Sequence, residues 1–196
     1  MTNWKQERHA AQEEVEALAV LLRDEDTTDR RLIAGYLEAK RVLARAFEQL
    51  AVEKYSDNSH LESAKIMIEH AMRSTFTQIP EKYLRVSGFS RVHAMLLAYL
   101  VPRVGTAVYA DELRMLTGDA VHTERRARDL RDLGFALLAS DHPGGQAYTL
   151  VDSVPAAQTA AVILIHRNIR QDKTLSENSR ARLLRLAGIG IPPEQE

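Results

Sequence analysis

The stretch VYADELRMLTGDAVHTERRARDLRDLGFALLASDHPGGQAYTLV, residues 108–151, carries the pattern that decides the fold of this chain. It opens with a short helical pattern, and after a turn a second helix is predicted over residues 121–133, ended by Gly134. The runs FALLAS (135–140) and QAYTLV (146–151) predict two short strands. Because the DHPGG between these runs is rich in turn-forming residues, it predicts a tight hairpin.

Two helices precede the turn in this unit. The short one is predicted over residues 108–118, with Leu113 and Leu116 turned inward. An apolar helix precedes it at RVHAMLLAYLVPRV, residues 91–104. The order of helix, helix, turn, helix and hairpin is typical of a winged helix, which we expect at residues 86–152.

The helix over residues 121–133 separates its charged residues from its apolar ones. On a helical wheel its inward side is formed by Ala127, Leu130 and Leu133, with Thr123 beside them. The opposite side carries four charged residues: Arg125, Arg128, Asp129 and Asp132. We therefore expect this charged side to be available to a partner.

Two explanations of the charged side are open. One is a solvated surface in which Arg125 pairs with Asp129 and Arg128 with Asp132, each pair stabilising the helix by about 0.3 kcal/mol. The order of the charges disfavours it, because the arginines lie nearer the positive end of the helix dipole. The other is DNA reading, in which the N-terminal half of a helix enters the major groove and arginine bonds to guanine. We favour the second explanation, since phosphates would offset the adverse dipole.

The candidate DNA-binding residues follow from that explanation. We expect four of them to lie near base edges: His122, Thr123, Arg125 and Arg128. Arg126 and Arg131 are expected nearer the phosphates. Arg126 also lies on the flank nearer the core, where it could bridge to Asp111 or Glu112 instead.

His142 is one more candidate, at the predicted hairpin tip beside Gly144 and Gly145. A loop tip of this kind fits an approach to a minor groove or to the DNA backbone. A tight turn alone would also explain the two glycines.

The stretch quoted first resembles the winged helix-turn-helix of bacterial DNA-binding proteins, with its ADEL and LTG support helix, a helix of the form RRxRxLRxxG and a glycine-containing wing. More narrowly, IPEKYLRVSGFSRVHAMLLAYL, RRARDLRDLGF and IRQDKTLSENSRARLLRLAGI resemble the DNA-recognition region that precedes the nuclease domain in some bacterial restriction endonucleases. The resemblance implies that duplex DNA is the partner. It also implies that a DNA sequence or a modified base is read from His122, Thr123, Arg125 and Arg128.

Catalytic patterns do not accompany the resemblance. The sequence shows no HNH-type pattern and no carboxylate pair followed by Glu-x-Lys, so whether a nuclease domain continues the chain or the protein binds without cutting stays open. A stand-alone transcriptional regulator is one alternative function. A helical module whose winged helix binds protein is another, and a near-flat salt dependence of nucleic-acid binding would identify it.

Composition limits the remaining function classes. With 26 Lys plus Arg against 27 Asp plus Glu, any nucleic-acid affinity must come from a local patch. The absence of cysteine excludes disulfides and thiolate zinc sites, and the seven histidines are scattered without metal-ligand spacing. We therefore expect no metal and no cofactor.

Location is inferred from the same sequence. No apolar run reaches membrane-spanning length, and the N-terminus is too charged for a signal peptide. Together with the resemblance, this predicts a protein of the bacterial cytoplasm that joins the nucleoid when bound to DNA.

The flanking regions are predicted to be helical, so the expected fold class is mainly α. Residues 1–80 read as three helices that close on themselves or on a second copy, as a homodimer. Residues 153–190 read as two helices that form a C-terminal extension or linker. Capping boxes are predicted from Ser59 to Glu62 and at residues 174–177.

A second basic surface is conceivable on the long second helix. Lys40, Arg41 and Arg45 would extend the DNA-binding surface if that helix lies beside the helix at residues 121–133. A solvated face balanced by Glu38 and Glu48 is the interpretation that we favour.

Overall fold

The computed structural model describes residues 3–118 and 123–188, and for Thr123 and Glu124 the backbone alone. Within these residues the protein is mainly α-helical with one small antiparallel sheet, which confirms the predicted fold class. None of the described helices combines the length and the apolar character that crossing a membrane requires.

The chain begins with an antiparallel helical hairpin, α1 (Trp4–Arg23) and α2 (Asp29–Lys54). Asn3 starts α1 by accepting the amide of Gln6 at 3.1 Å, and the side chain of Gln6 returns a bond to the amide of Asn3. Gly35 lets the two helices approach closely, because a Cβ there would come within 2.6 Å of Leu21.

The third helix, α3 (Ser59–Thr75), starts differently from the prediction. Asn58 is the N-cap, and Ser59 is already helical and bonds to Asp57 rather than to Glu62. The carboxylate of Glu62 pairs with Lys65 at 2.8 Å. The predicted capping box is therefore wrong, since the preceding aspartate supplies the better-placed acceptor.

The capping box predicted at residues 174–177 is wrong in the same way. Ser176 caps the last helix, α8 (Glu177–Leu186), through the amide of Ser179, whereas Thr174 donates to Asp172 at 2.6 Å.

The central elements, between residues 91 and 150, include one strand that the sequence did not predict. Their order is α4 (Arg91–Leu100), β1 (Ala107–Tyr109), α5 (Ala110–Leu116), α6 (Thr123–Asp132), β2 (Leu137–His142) and β3 (Gly145–Leu150). In the sheet β3 lies between β1 and β2, and both pairings are antiparallel. Val108 of β1 is buried and pairs with Tyr148, so the helix predicted from residue 108 begins at residue 110 instead.

Gly134 connects α6 to the hairpin at a point where only glycine fits. Its φ is +82°, in the left-handed region, and a Cβ there would meet the carbonyl oxygen of Ala156 at 2.8 Å. The backbone of Gly134 also accepts a hydrogen bond from the amide of Ala156 at 2.8 Å. This contact holds the start of α7 (Ala157–Gln171) against the end of α6.

One hydrophobic core runs from Ala51, near the end of α2, to Ala187 and is shared by that end of α2, by α3 to α8 and by the sheet. A separate small cluster of Ala11, Val42 and Ala46 holds the hairpin of α1 and α2 together. The core therefore continues across residues 86 and 152, the expected domain boundaries, while the N-terminal hairpin packs largely by itself.

Candidate nucleic-acid interface

Helix α6 is held by its apolar side. Ala127, Leu130 and Leu133 are all buried in the main core, as the helical wheel predicts. Helices α4, α5 and α7 and strand β2 all contact α6. The opposite side of the helix is therefore the one left to solvent.

Arg125 and Arg128 lie on that opposite side and are exposed. Within the described part of the chain neither guanidinium has a hydrogen bond or an ion pair, and neither of the predicted pairs with Asp129 and Asp132 forms. The explanation of this surface as paired helical charges is thus not borne out by the structure.

Asp129 is withdrawn from the outer surface by a buried histidine. Its Oδ2 lies 3.0 Å from Nε2 of His93, a residue of α4 that has no solvent exposure. The amide of Ser90 donates to the other ring nitrogen, Nδ1, at 2.9 Å. The ring proton therefore lies on Nε2 and is donated to the carboxylate.

Arg126 has a different partner from the one predicted. Its Nη1 lies 3.4 Å from Oδ2 of Asp129, so it does not bridge to Asp111 or Glu112. Asp111 instead pairs with Arg114 at 2.8 Å. The guanidinium of Arg126 stays partly exposed, beside the carboxylate that receives His93.

Glu112 is engaged in joining α5 to α4. It accepts the hydroxyl of Tyr99 at 2.6 Å and the amide of Tyr109 at 3.0 Å. Burial, with this hydrogen bond to Glu112, raises the pKa of Tyr99 to about 12. The guanidinium of Arg103 covers the same ring, 3.8 Å from its centroid.

Arg131 links α6 to the hairpin. Its Nε donates to the carbonyl oxygen of Leu137 at 2.7 Å, and its guanidinium lies 6.0 Å from the ring centroid of Tyr148. The Nε of Arg131 is therefore bonded within the protein, although the residue remains exposed.

His142 is the last residue of β2, directly before the turn of the hairpin. Its ring stacks edge-on with Tyr109 of β1, with 6.1 Å between the centroids, and its Nε2 lies 3.1 Å from the hydroxyl of Ser140. The ring of Tyr109 also lies against Gly144. These contacts hold the exposed tip of the hairpin against the short strand that precedes α5.

Two of the predicted site residues are not placed by the structure. His122 lies outside the described residues, and only the backbone of Thr123 is described, as the first residue of α6. The helix beginning nevertheless puts Thr123 half a turn before Arg125, at the same end of α6.

Asp132 closes the charged side at the far end of α6. Burial raises the pKa of its carboxyl, the negative charge of Asp129 adds to that effect, and the cations of Arg167 and Arg128 oppose it. Arg167 belongs to α7 and is itself held by the carbonyl oxygen of Ser87. The outward charge of α6 is consequently most positive in its N-terminal half.

Among residues 3–118 and 123–188, no group of three or more histidine, aspartate or glutamate side chains is arranged to hold a metal ion.

Comparison with known proteins relates the central unit to restriction enzymes. Residues 93–150 match the family described as the KpnI N-terminal domain. The match begins at His93, in α4, and ends with the last residue of β3, so it covers α5, α6, the sheet and nearly all of α4. No curated protein and no solved structure matches the chain. The expected likeness to a restriction endonuclease is confirmed at this level.

Proposed function

We propose that α4, α5, α6 and the three-stranded sheet form a winged helix that binds duplex DNA, as the recognition domain of a restriction endonuclease. The order helix, strand, helix, helix, strand, strand supports this proposal, with α6 as the helix that enters the major groove and the hairpin of β2 and β3 as the wing. The match of residues 93–150 to the KpnI N-terminal domain supports the link to restriction enzymes.

One observation carries the proposal: the positive charge on the outer side of α6 is not neutralised by the helix's own acids. Asp129, which would pair with Arg125 on a solvated helix, is bound by His93 from below. Arg125 loses its expected partner in this way, and both Arg125 and Arg128 are exposed with guanidinium groups that have no partner among the described residues. Such groups can bond in a bidentate manner to guanine O6 and N7, which specifies sequence.

The other predicted residues take supporting roles in the proposal. Arg126 and Arg131 each keep part of the guanidinium exposed while another part is fixed by Asp129 or by Leu137. Fixed cations beside a base-reading surface are suited to phosphates, which set the position of the protein on the duplex. His122 and Thr123 would contact base edges at the beginning of α6, and His142 would approach the DNA backbone from the wing.

The proposal also includes a homodimer held by the N-terminal helices. A two-fold dimer would present two copies of α6 to DNA, at half-sites whose spacing mirrors the protein symmetry. The nuclease activity of a restriction enzyme would then belong to a domain or subunit that works with this recognition unit.

Selection from a random duplex library tests the proposed function directly. The chain is incubated at physiological salt with two libraries, one unmodified and one with methylated cytosine, and the bound duplexes are sequenced. We expect an enriched motif containing guanine, because Arg125 and Arg128 are the groups free to read it. Recovery of duplexes without any enriched motif would contradict sequence reading.

The salt dependence of binding to the selected duplex separates DNA binding from a protein-binding role. Phosphate contacts release counterions, so the affinity must fall steeply as salt rises. An affinity that is nearly independent of salt would favour a protein-interaction module instead.

A further inference from the structure

The hairpin of α1 and α2 exposes more apolar surface than a pair of helices in water would retain. Two of its most exposed apolar side chains are Leu22, at 69%, and Ile33, at 58%. Other large apolar residues exposed on the same hairpin are Val15, Val20, Tyr36 and Leu37. A two-helix hairpin with this surface open to water buries too little to be stable as an isolated unit.

Most of these side chains lie on one side of the hairpin. On α1, residues 15, 18, 19 and 22 follow the i, i+3, i+4, i+7 spacing of a single helical face, and on α2 residues 33, 36, 37 and 40 do the same. Leu18 of α1 and Tyr36 of α2 line one cavity of about 320 Å³, so the two faces are on the same side. We call this surface the hairpin flank, formed by Val15, Leu18, Leu22, Ile33 and Tyr36.

The chain itself covers only the inner end of the hairpin flank. Met115 and Asp111 of α5 line the cavity together with Phe47, near the body of the protein. Towards the turn between α1 and α2, Leu22 and Ile33 remain exposed. The apolar surface that α5 begins to cover thus continues outward without a partner.

We infer that the hairpin flank packs against the same flank of a second copy of this chain, so that two hairpins form a four-helix bundle. Four helices with apolar sides turned to a shared core are a stable arrangement, whereas two are not. This inference deepens the homodimer included in the proposed function, by assigning its surface.

Charge on the two helices favours a second copy over an unrelated partner. Between residues 13 and 23, α1 carries three glutamates and one arginine. Between residues 29 and 41, α2 carries four basic residues and two acidic ones. Because the helices have opposite signs, a two-fold arrangement that sets α1 against the other copy's α2 attracts at both contacts.

The test is the mass of the full chain in solution without DNA, measured by sedimentation velocity or by light scattering after gel filtration at about 50 µM. We expect the wild type to have twice the monomer mass of 22.0 kDa. Leu22→Glu should halve the observed mass, because it places a charge in the apolar contact between the two flanks. A wild-type chain that is monomeric at this concentration would overturn the inference.

Val20→Glu is the matched control. Val20 is nearly as exposed as Leu22, at 62%, but lies on the opposite side of α1 by helical spacing. We expect this variant to remain dimeric, and equal dissociation of both variants would refute the assignment of the flank. Circular dichroism of each variant checks that α1 is retained.

A cross-link gives an independent readout. Because the chain contains no cysteine, Tyr36→Cys introduces a single reactive thiol on the hairpin flank. A short bismaleimide should convert this variant to a covalent dimer, while Val20→Cys should yield little. A higher yield of covalent dimer from Val20→Cys than from Tyr36→Cys would contradict the inference. Since no DNA is present in any of these measurements, a monomeric result leaves the duplex-binding proposal intact, and a failed DNA selection leaves the dimer intact.

Discussion

The imidazole Nε2 of His93 lies 3.0 Å from Oδ2 of Asp129, so a fully buried ring on α4 holds an acid on α6. This contact has two consequences. It fixes the rotation of α6 on the core, and it removes the carboxylate that would otherwise neutralise Arg125. The contact between His93 and Asp129 thus both stabilises the fold and leaves Arg125 as a positive charge on the outer side of α6.

Removing the carboxylate should destabilise the protein measurably. Asp129→Ala leaves the Nε2–H of buried His93 without an acceptor, which should lower the free energy of unfolding by about 1–3 kcal/mol. Asp129→Asn is the matched control, because its amide oxygen can still accept the hydrogen bond from Nε2–H of His93. The measurement is urea denaturation of both variants. An equal loss of unfolding free energy in the two would show that the hydrogen bond is not the stabilising element.

Gly134→Ala should destabilise the protein more than Gly88→Ala. Both glycines have a positive φ, near +85°, so alanine strains the backbone at each by about 1–2 kcal/mol. Only at Gly134 would the added Cβ also meet backbone, at 2.8 Å from the oxygen of Ala156. The difference in unfolding temperature between the two variants measures the effect of this close approach. Similar unfolding temperatures would show that the contact with Ala156 has no effect on stability.

The protein should become less stable in acid, because the carboxylate of Asp172 is then protonated. Hydrogen bonds from Lys82, Thr174 and Tyr83 hold the pKa of Asp172 well below its ordinary value of 3.8. Because the folded pKa is the lower one, this stabilisation is present above about pH 4 and is lost as the pH falls further. Asp172→Asn should therefore be less stable than the wild type at pH 7, and the difference should narrow at pH 3. A difference independent of pH would contradict the assignment.

Phosphate contacts should be visible in the salt dependence of DNA binding. If Arg126 lies along a phosphate, Arg126→Ala should reduce the slope of log affinity against log salt by about 1, and should weaken binding to all duplexes alike. Affinities for the selected duplex and a scrambled one, measured at several salt concentrations, provide this test. An unchanged slope would place Arg126 in a purely structural role beside Asp129.

Local signals were sufficient to predict much of the central unit. Ala127, Leu130 and Leu133 are buried because helical spacing alone sets which side of α6 faces the core. The hairpin follows from the turn residues between its strands, although pairing shifts the first strand to Leu137–His142. Phe135, predicted as the start of that strand, is buried in the core before the strand begins.

Features that depend on distant residues were not predictable from local patterns. Strand β1 has three residues, too few to show alternation, and it exists because Val108 pairs with Tyr148, forty positions away. The helical wheel of α6 predicts Asp129 on the outer side, because a wheel of one helix cannot show that His93 of α4 binds this carboxylate. The apolar helical context of His93 in the sequence favours a hydrogen-bonded, partly buried imidazole, but it does not indicate the partner.

The measurement that tests the central claim most directly is a binding titration of Arg125→Ala and Arg128→Ala with the selected duplex at physiological salt. Each substitution should weaken binding by about 1–3 kcal/mol if the side chain reads a base, and should relax the preference at one position of the site. Neither should change the unfolding temperature, because neither guanidinium has a partner among the described residues. Arg23→Ala, at the far end of α1, is the control for loss of one exposed cation. Affinities for both variants that equal those of the wild type and of Arg23→Ala would contradict DNA recognition by α6.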